Sequence, residues 1–371
     1  MKKNFKPYEI DASQILGKAK NVFHPKSIQE VKQVIRDNNR ISIRGAGTGL
    51  MGGCVPENGI DVVLDLSKLD KIGNFDKERK IIEVESGVIL DEIQDYLKKY
   101  NLEFPIIPLS HDIATIGGMI ATNALGNRGL KYGRTERWIR WIEVIDYKGD
   151  LYRKGATEIS DYSGLEGITG VIVRTCLNLS PIKKRSISII KINNLKDVIK
   201  SVITLKKNEE ISSIDFLDKI VSKLIGLEES YHLVVEFENE SGDLRDDNYK
   251  EFSIKKDSIY LILAINGYTR IEDPKILINK FEELINFTEE RNIPIFGQIG
   301  IGVFHPCFKE NQKKFIIDLI KLTKRLGGNI SGAFGIGLLK REYIDQNDKK
   351  IWVNIKKRID PENKFNIGKV I

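Results

Sequence analysis

Hydrophobic positions along the first half of the chain follow two rhythms. SIQEVKQVIRDN, from residue 27, has the spacing of an amphipathic helix behind a serine cap. ISIR (Ile41 to Arg44) and DVVLDL (Asp61 to Leu66) read as short strands on either side of a glycine-rich segment, a βαβ-like opening. KIIEVES (Lys80 to Ser86) continues as a strand, and VILDEIQDYLKKY (Val88 to Tyr100) as a helix with Leu90, Ile93 and Leu97 on one face. RWIEVIDYKGDLYR, residues 140 to 153, alternates around Lys148-Gly149 and predicts a β-hairpin.

After SPIKKRS, near residue 180, the style changes. SISIIKI, YHLVVEFE, SIYLILAI and IPIFGQI read as strands, SIDFLDKIVSKLIG as a strand and helix, and NLKDVIKSVITLKK and KILINKFEELINF as helices. Such alternation predicts an antiparallel sheet with helices on one face. No fixed-period repeat is present, which excludes a solenoid or propeller. The ending KKRIDPENKFNIGKVI (Lys356 to Ile371) is turn-rich with an apolar terminus, and is expected to pack back on the first domain. At 371 residues the chain exceeds the usual size of one core, so the expectation is an α+β protein of more than one domain.

Charge changes this picture little. The formal net charge is +7, but lysines and arginines are interleaved with nearly as many acids and form no long basic run, which argues against nucleic acid. A mildly positive surface suits an anionic cofactor, an acidic substrate or loose attachment to an anionic membrane. The widely spaced Cys54, Cys176 and Cys307 offer neither a disulfide framework nor a zinc or iron-sulfur pattern. The N-terminus lacks a signal-peptide apolar core, and the longest apolar run, IYLILAI (Ile259 to Ile265), is too short to span a bilayer. A cytoplasmic protein without a transmembrane segment, possible at the membrane only as a peripheral one, is the expectation.

Candidate chemistry begins with glycine. In RGAGTGLMGG (Arg44 to Gly53) the missing side chains let successive backbone N–H groups converge on phosphate oxygens, and Thr48 adds a hydroxyl. No helix opens after this loop; Pro56 and a new strand follow, which excludes the Rossmann fingerprint and disfavours NAD. The alternative is a tight connection between strands. A second segment, TIGGMIATNALG (Thr115 to Gly126), again concentrates Gly, Thr and Asn at the end of a helical element, and two such loops suit a pyrophosphate.

These segments, with SGLEGITGVIV (Ser163 to Val173), GGNISGAFGIGLLKR (Gly327 to Arg341) and DPENKFNIGK (Asp360 to Lys369), resemble the FAD-linked oxidases of the PCMH (vanillyl-alcohol oxidase) type, in the branch of D-lactate dehydrogenase and the glycolate oxidase FAD subunit. The resemblance implies a two-subdomain FAD-binding domain over residues 1–182, an antiparallel-sheet, ferredoxin-like cap domain over 183–340, and a segment 341–371 returning to the FAD domain. It implies that Gly45, Ala46, Gly47, Thr48, Gly49 and Gly52 contact the pyrophosphate, and that Ser110, Thr115, Gly117, Gly118, Ala121 and Asn123 surround the pyrophosphate and isoalloxazine. Glu166, Gly170 and Ile172 would lie near the adenosine and Asn366 near the flavin ring. Some members bind flavin covalently through histidine or cysteine. Cys54 and His111 lie nearby here, and noncovalent FAD is the expectation.

The substrate side departs from the family. In this branch H-x-G-D-G-N-x-H supplies two metal-binding histidines, and G-E-H-G supplies a third ligand and the base. Here the stretches read GQIGIGVFHP and GAFG: Gln298 stands at the first histidine, Ile301 and Val303 at the aspartate and asparagine, Ala333 at the third ligand and Phe334 at the base, and only His305 persists. Alanine and phenylalanine cannot coordinate, so no metal is expected. Gln298 and His305 remain as catalytic candidates, the alternative for His305 being packing. Lys340 and Arg341 read as a solvated or FAD-domain-facing pair, and Arg270 as a possible anion contact or a surface-loop residue. Two functions stay open. One is metal-free oxidation of the C–OH of a 2-hydroxy acid or related alcohol by hydride transfer to flavin N5, with electrons passing to a separate acceptor or iron-sulfur subunit. The other is an FAD-binding electron-transfer partner of a multi-subunit dehydrogenase with no substrate site of its own.

Overall fold

The computed structural model describes residues 4–57 and 59–371. The chain divides into two compact units: residues 1–126, 134–182 and 334–371 form the first, and 127–133 with 183–333 the second. The first opens with β1 (Asn21–Phe23), α1 (Ile28–Asp37), β2 (Ile41–Arg44) and β3 (Val62–Asp65). β1 and β2 both run parallel to β3, in the order β1-β3-β2. Ser27 starts α1 by accepting the Glu30 N–H, and the fully buried Val31 and Ile35 on its inner face each contribute roughly 1.5–3 kcal/mol.

Then come β4 (Ile72–Asp76), β5 (Ile81–Glu85), α2 (Leu90–Lys98), β6 (Leu102–Glu103) and α3 (Ile116–Ala121). The short α4 (Gly129–Tyr132) belongs to the second unit. β7 (Ile139–Ile145) and β8 (Leu151–Gly155) form the expected hairpin, turning at Gly149 with φ +81°, and β9 (Val171–Asn178) and β10 (Ser180–Pro181) complete the set. β4, β5, β9, β7 and β8 make a five-stranded antiparallel sheet, while β10 pairs with β6.

The second unit carries β11 (Ser186–Ile192), α5 (Leu195–Leu205), β12 (Ile211–Leu217), α6 (Lys219–Leu224), β13 (Tyr231–Phe237), α7 (Asp246–Asp257), α8 (Ile259–Ile265), β14 (Arg270–Ile271), α9 (Phe281–Glu289), β15 (Ile295–Gln298), β16 (Val303–Phe308) and α10 (Lys314–Arg325). Its strands form one antiparallel sheet in the order β11-β13-β12-β15-β16-β14. Helices cover both faces, not one. Val198, Leu284 and Leu322 from α5, α9 and α10 pack with Ile214, Phe216, Leu233 and Phe304 on one side. On the other, Val221, Phe252, Ile259 and Leu263 from α6, α7 and α8 meet Ile187, Leu217, Val234 and Phe296.

Two elements correct the sequence reading. IYLILAI is a helix, α8, because its apolar residues divide with helical period: Ile259 and Leu263 are buried while Leu261 and Ile265 are exposed. An apolar run of seven residues suits strand or helix equally, and here its neighbour α7 decides. The helix expected from Lys275 begins later, since Lys275 bridges Asn329 and Val303 as extended chain. In the first unit, α11 (Gln346–Ile359) leads into the tail, which is folded on Asp360: its carboxylate accepts the Lys364 and Phe365 N–H groups and pairs with the buried Lys356. No helix among the described residues is long and apolar enough to cross a membrane.

Candidate functional site

In the first unit β2 delivers Gly45 to Gly53 into a loop folded over Arg44, whose buried guanidinium donates to the Ile10 carbonyl and to Cys54 Sγ. Gly47 has φ +74°, and a side chain there would strike that guanidinium. Among the described residues, no backbone N–H from Ala46 to Gly53 meets a protein acceptor, although Met51 and Gly52 are buried. Buried donors are ordinarily satisfied, so this run of open N–H groups calls for an external acceptor. Gly49 faces open space, with no heavy atom within 4 Å of where a Cβ would stand.

The second glycine segment lies against the first. A Cβ on Gly45 would collide with Thr115 Oγ1 and stand 3.7 Å from Gly118 Cα. Thr115 caps α3 by accepting the Gly118 N–H at 3.3 Å. Gly117 lets α3 close on the turn after β5, where its N–H donates to the Ser86 carbonyl at 2.7 Å. Ser86 Oγ, beside it, is buried and has no hydrogen-bond partner among the described residues. Ser110 accepts the Ala114 N–H through its carbonyl.

Other candidate residues are engaged within the protein. The Asn123 side chain is tied to Glu136 in both directions, and Ala121 accepts the Glu166 N–H. Glu166, with φ +51°, accepts the N–H groups of Ile336 and Gly337 and faces Gly53 and Gly335. Asn366 holds the tail in place: its amide oxygen accepts the Ile43 N–H at 2.9 Å and its amide nitrogen donates to the Glu166 carbonyl at 2.6 Å. Gly170 lies against the Ile145 carbonyl and Ile172 is buried in β9.

Residues 19–155 match the model of an FAD binding domain, and residues 268–370 that of the FAD linked oxidases' C-terminal domain. The chain is thus similar to the FAD-linked oxidases in both its FAD-binding and its C-terminal part. It is 29% identical to D-lactate dehydrogenase of Anaerostipes hadrus, with 97% of this chain and 91% of the relative aligned. It is 28% identical to D-lactate dehydrogenase of Archaeoglobus fulgidus, over 94% of this chain and 91% of the relative. Against glycolate oxidase subunit GlcD of Bacillus subtilis the identity is 25%, over 98% and 91%. This oxidoreductase uses FAD, and the open loop donors, the Gly45–Thr115 approach and the orphaned Ser86 hydroxyl fit an anionic dinucleotide.

Near the glycine loop, burial pushes the Cys54 thiol up to about 11, so it stays protonated at neutral pH. His111 sits in a turn with Nδ1 2.7 Å from Asp91. Lys340 is a correction: it is buried at 1% exposure, not solvated, and Arg341 donates to the Gly368 carbonyl. Lys369, missed in the sequence, is buried with its ammonium on Ser42 Oγ, and burial lowers it to about 8. Only its place in the FNIGK motif pointed to it.

In the second unit Gln298 ends β15 and His305 lies in β16. Phe296 pairs with His305 and Gln298 with Val303, so all four stand on the α6–α8 face of the sheet. His305 is buried, its ring 5.3 Å from Phe296 and 5.9 Å from Tyr260. Arg270 is not in a surface loop: it lies in β14 and pairs with Glu272 at 2.9 Å. The Ala333 N–H donates to Asp273 at 2.7 Å. Among the described residues no three His, Cys, Asp or Glu side chains come together as a metal site, and the donor set around Gln298 and His305 does not fit one.

Proposed function

We propose that this oxidoreductase oxidises the C–OH carbon of a 2-hydroxy acid of the D-lactate or glycolate kind. The observation that carries the reading is its alignment along 91% of the length of relatives named D-lactate dehydrogenase and glycolate oxidase subunit. Bound FAD supplies the hydride acceptor. The glycine loop holds the pyrophosphate through the N–H groups of Ala46 to Gly52, and the link is noncovalent, in keeping with a Cys54 thiol that burial keeps protonated against the pull of Arg44. His305 and Gln298 assist removal of the hydroxyl proton, and no metal takes part.

The test is an anaerobic titration of the flavin-loaded protein with D- and L-2-hydroxy acids, sugar acids and polyols, with and without divalent metal. Bleaching of the flavin by a 2-hydroxy acid without added metal is expected. A flavin reduced only by a polyol, or only with metal present, overturns the corresponding part.

A second reading has its own observation. Ile254, Leu261 and Ile265 are 69%, 64% and 76% exposed and form one stripe where α7 runs on through Ser258 into α8. An apolar stripe of this kind favours a protein partner, and so an electron-transfer subunit of a larger dehydrogenase. Bound flavin that no compound reduces is the outcome that selects it.

A further inference from the structure

The α6–α8 face of the second unit's sheet buries an ion pair that the chemistry above does not use. Phe252, Lys256, Ile259 and Leu263 follow one another at helical spacing along α7 and α8, so Lys256 occupies a core position between three buried apolar residues. Its Nζ lies 2.9 Å from Asp215 Oδ2, and each side chain is only 11% exposed. Asp215 stands on β12, where Phe216 pairs with Gly297 and Leu217 with Phe296; the next rung along places Asp215 beside Gln298 on the same face. Tyr260, whose ring packs against His305, also lies within reach of the Asp215 charge.

A buried ion pair on an apolar face is at best about neutral in stability against an apolar pair of the same volume, so stability alone does not account for Lys256. An ammonium has three donors, and among the described residues only Asp215 takes one. Burial works against the charge, but the carboxylates of Asp215 and Glu236 outweigh it and hold Lys256 above the ordinary lysine range. The group is a cation with open donors, held by a carboxylate that stands beside Gln298 and carried one helical turn before Tyr260. Arg270, the cation the sequence offered, is taken by Glu272.

We propose that Lys256 binds the carboxylate of the hydroxy-acid substrate, with Asp215 positioning its ammonium. This rests on the 2-hydroxy-acid reading and names the residue that gives it selectivity for acids. The test compares the wild type with Lys256→Met and Lys256→Arg, each loaded with FAD. The readouts are anaerobic flavin reduction by the most effective 2-hydroxy acid and by its primary amide, and oxalate binding followed by thermal shift. Lys256→Met should raise the half-saturating acid concentration roughly ten- to hundredfold, the worth of a charged hydrogen bond, and weaken oxalate equally. The amide should move by no more than about twofold, and Lys256→Arg should recover part of the loss. If Lys256→Met fails to fold, the double variant D215N/K256M, which removes both charges, takes its place. A wild type reduced by the acid alongside a variant that handles acid and oxalate equally well refutes the role of Lys256 alone. A wild type reduced by no hydroxy acid refutes the functional reading beneath it.

Discussion

Glu166 offers the sharpest test of how the first unit is held. Its carboxylate accepts the N–H groups of Ile336 and Gly337, both buried residues, the second at 3.0 Å. A Cβ on Gly335 would stand 2.6 Å from Oε1 and one on Gly53 2.9 Å from Oε2. One side chain therefore ties the 163–170 loop to the residues after Phe334 and borders the loop with the open donors. A hydrogen bond to a charged group is worth about 1.5–3 kcal/mol. Glu166→Ala removes two and leaves two buried donors unanswered, so the expected loss is roughly 3–6 kcal/mol. Glu166→Gln keeps the volume and one accepting oxygen, and should lose about half as much. Neither change alters the left-handed backbone penalty at φ +51°, since Glu, Gln and Ala all carry a Cβ. Equilibrium urea unfolding with and without FAD measures both losses, and the FAD-dependent increment reports on the neighbouring loop. A loss below about 1 kcal/mol for Glu166→Ala would refute the assignment, because no pair of buried charge-assisted bonds is that weak.

Two further predictions concern the same unit. Gly45→Ala should weaken FAD binding and destabilise the fold by about 1–3 kcal/mol through its collision with Thr115 Oγ1. Thr115→Ala alone should lose about 1 kcal/mol of cap energy yet relieve that collision, so a double-mutant cycle by urea unfolding should be strongly non-additive; simple additivity would mean that the segments do not touch. Lys369, lowered by burial from 10.5 to about 8, binds fewer protons folded than unfolded between those values. Stability should rise with pH across that window, by at most roughly 3 kcal/mol, and the increment should be lost as pH falls through 8. Lys369→Met should abolish the rise in unfolding curves compared from pH 7.5 to 10.5; the same slope in both proteins would show that Lys369 titrates normally.

Much of the first unit could be read from the chain because its signals are local. Glycine at 45, 47, 49, 52 and 53 without a following helix excludes one dinucleotide fold and suits another, and the loop indeed passes from β2 to β3 with its N–H groups open. What local pattern cannot carry is the use of a group by a distant one. Asn366 lies more than three hundred residues from Ile43, and its amide is engaged by backbone that no spacing rule connects to it. Lys340 and Arg341 read as a solvated or FAD-domain-facing pair, and the burial of Lys340 rules out the solvated half of that reading.

The second unit shows how one error of period conceals a candidate site. Read as a strand, IYLILAI separates from the polar helix before it, and Lys256 becomes one solvated lysine among many. Read as the continuation of α7, the same residues put Phe252, Lys256, Ile259 and Leu263 on one inward stripe, and the lysine becomes the anomaly. The strand order β11-β13-β12-β15-β16-β14 then matters as much as the helix, because only the insertion of β12 between β13 and β15 brings Asp215 beside Gln298. Neither fact is visible in the residues that lost their polar groups, Val303, Ala333 and Phe334, on which the sequence comparison concentrates. A charge buried in the core is the better guide to substrate chemistry, since burying a cation needs a compensating anion, and here the protein gives it one while leaving donors for another.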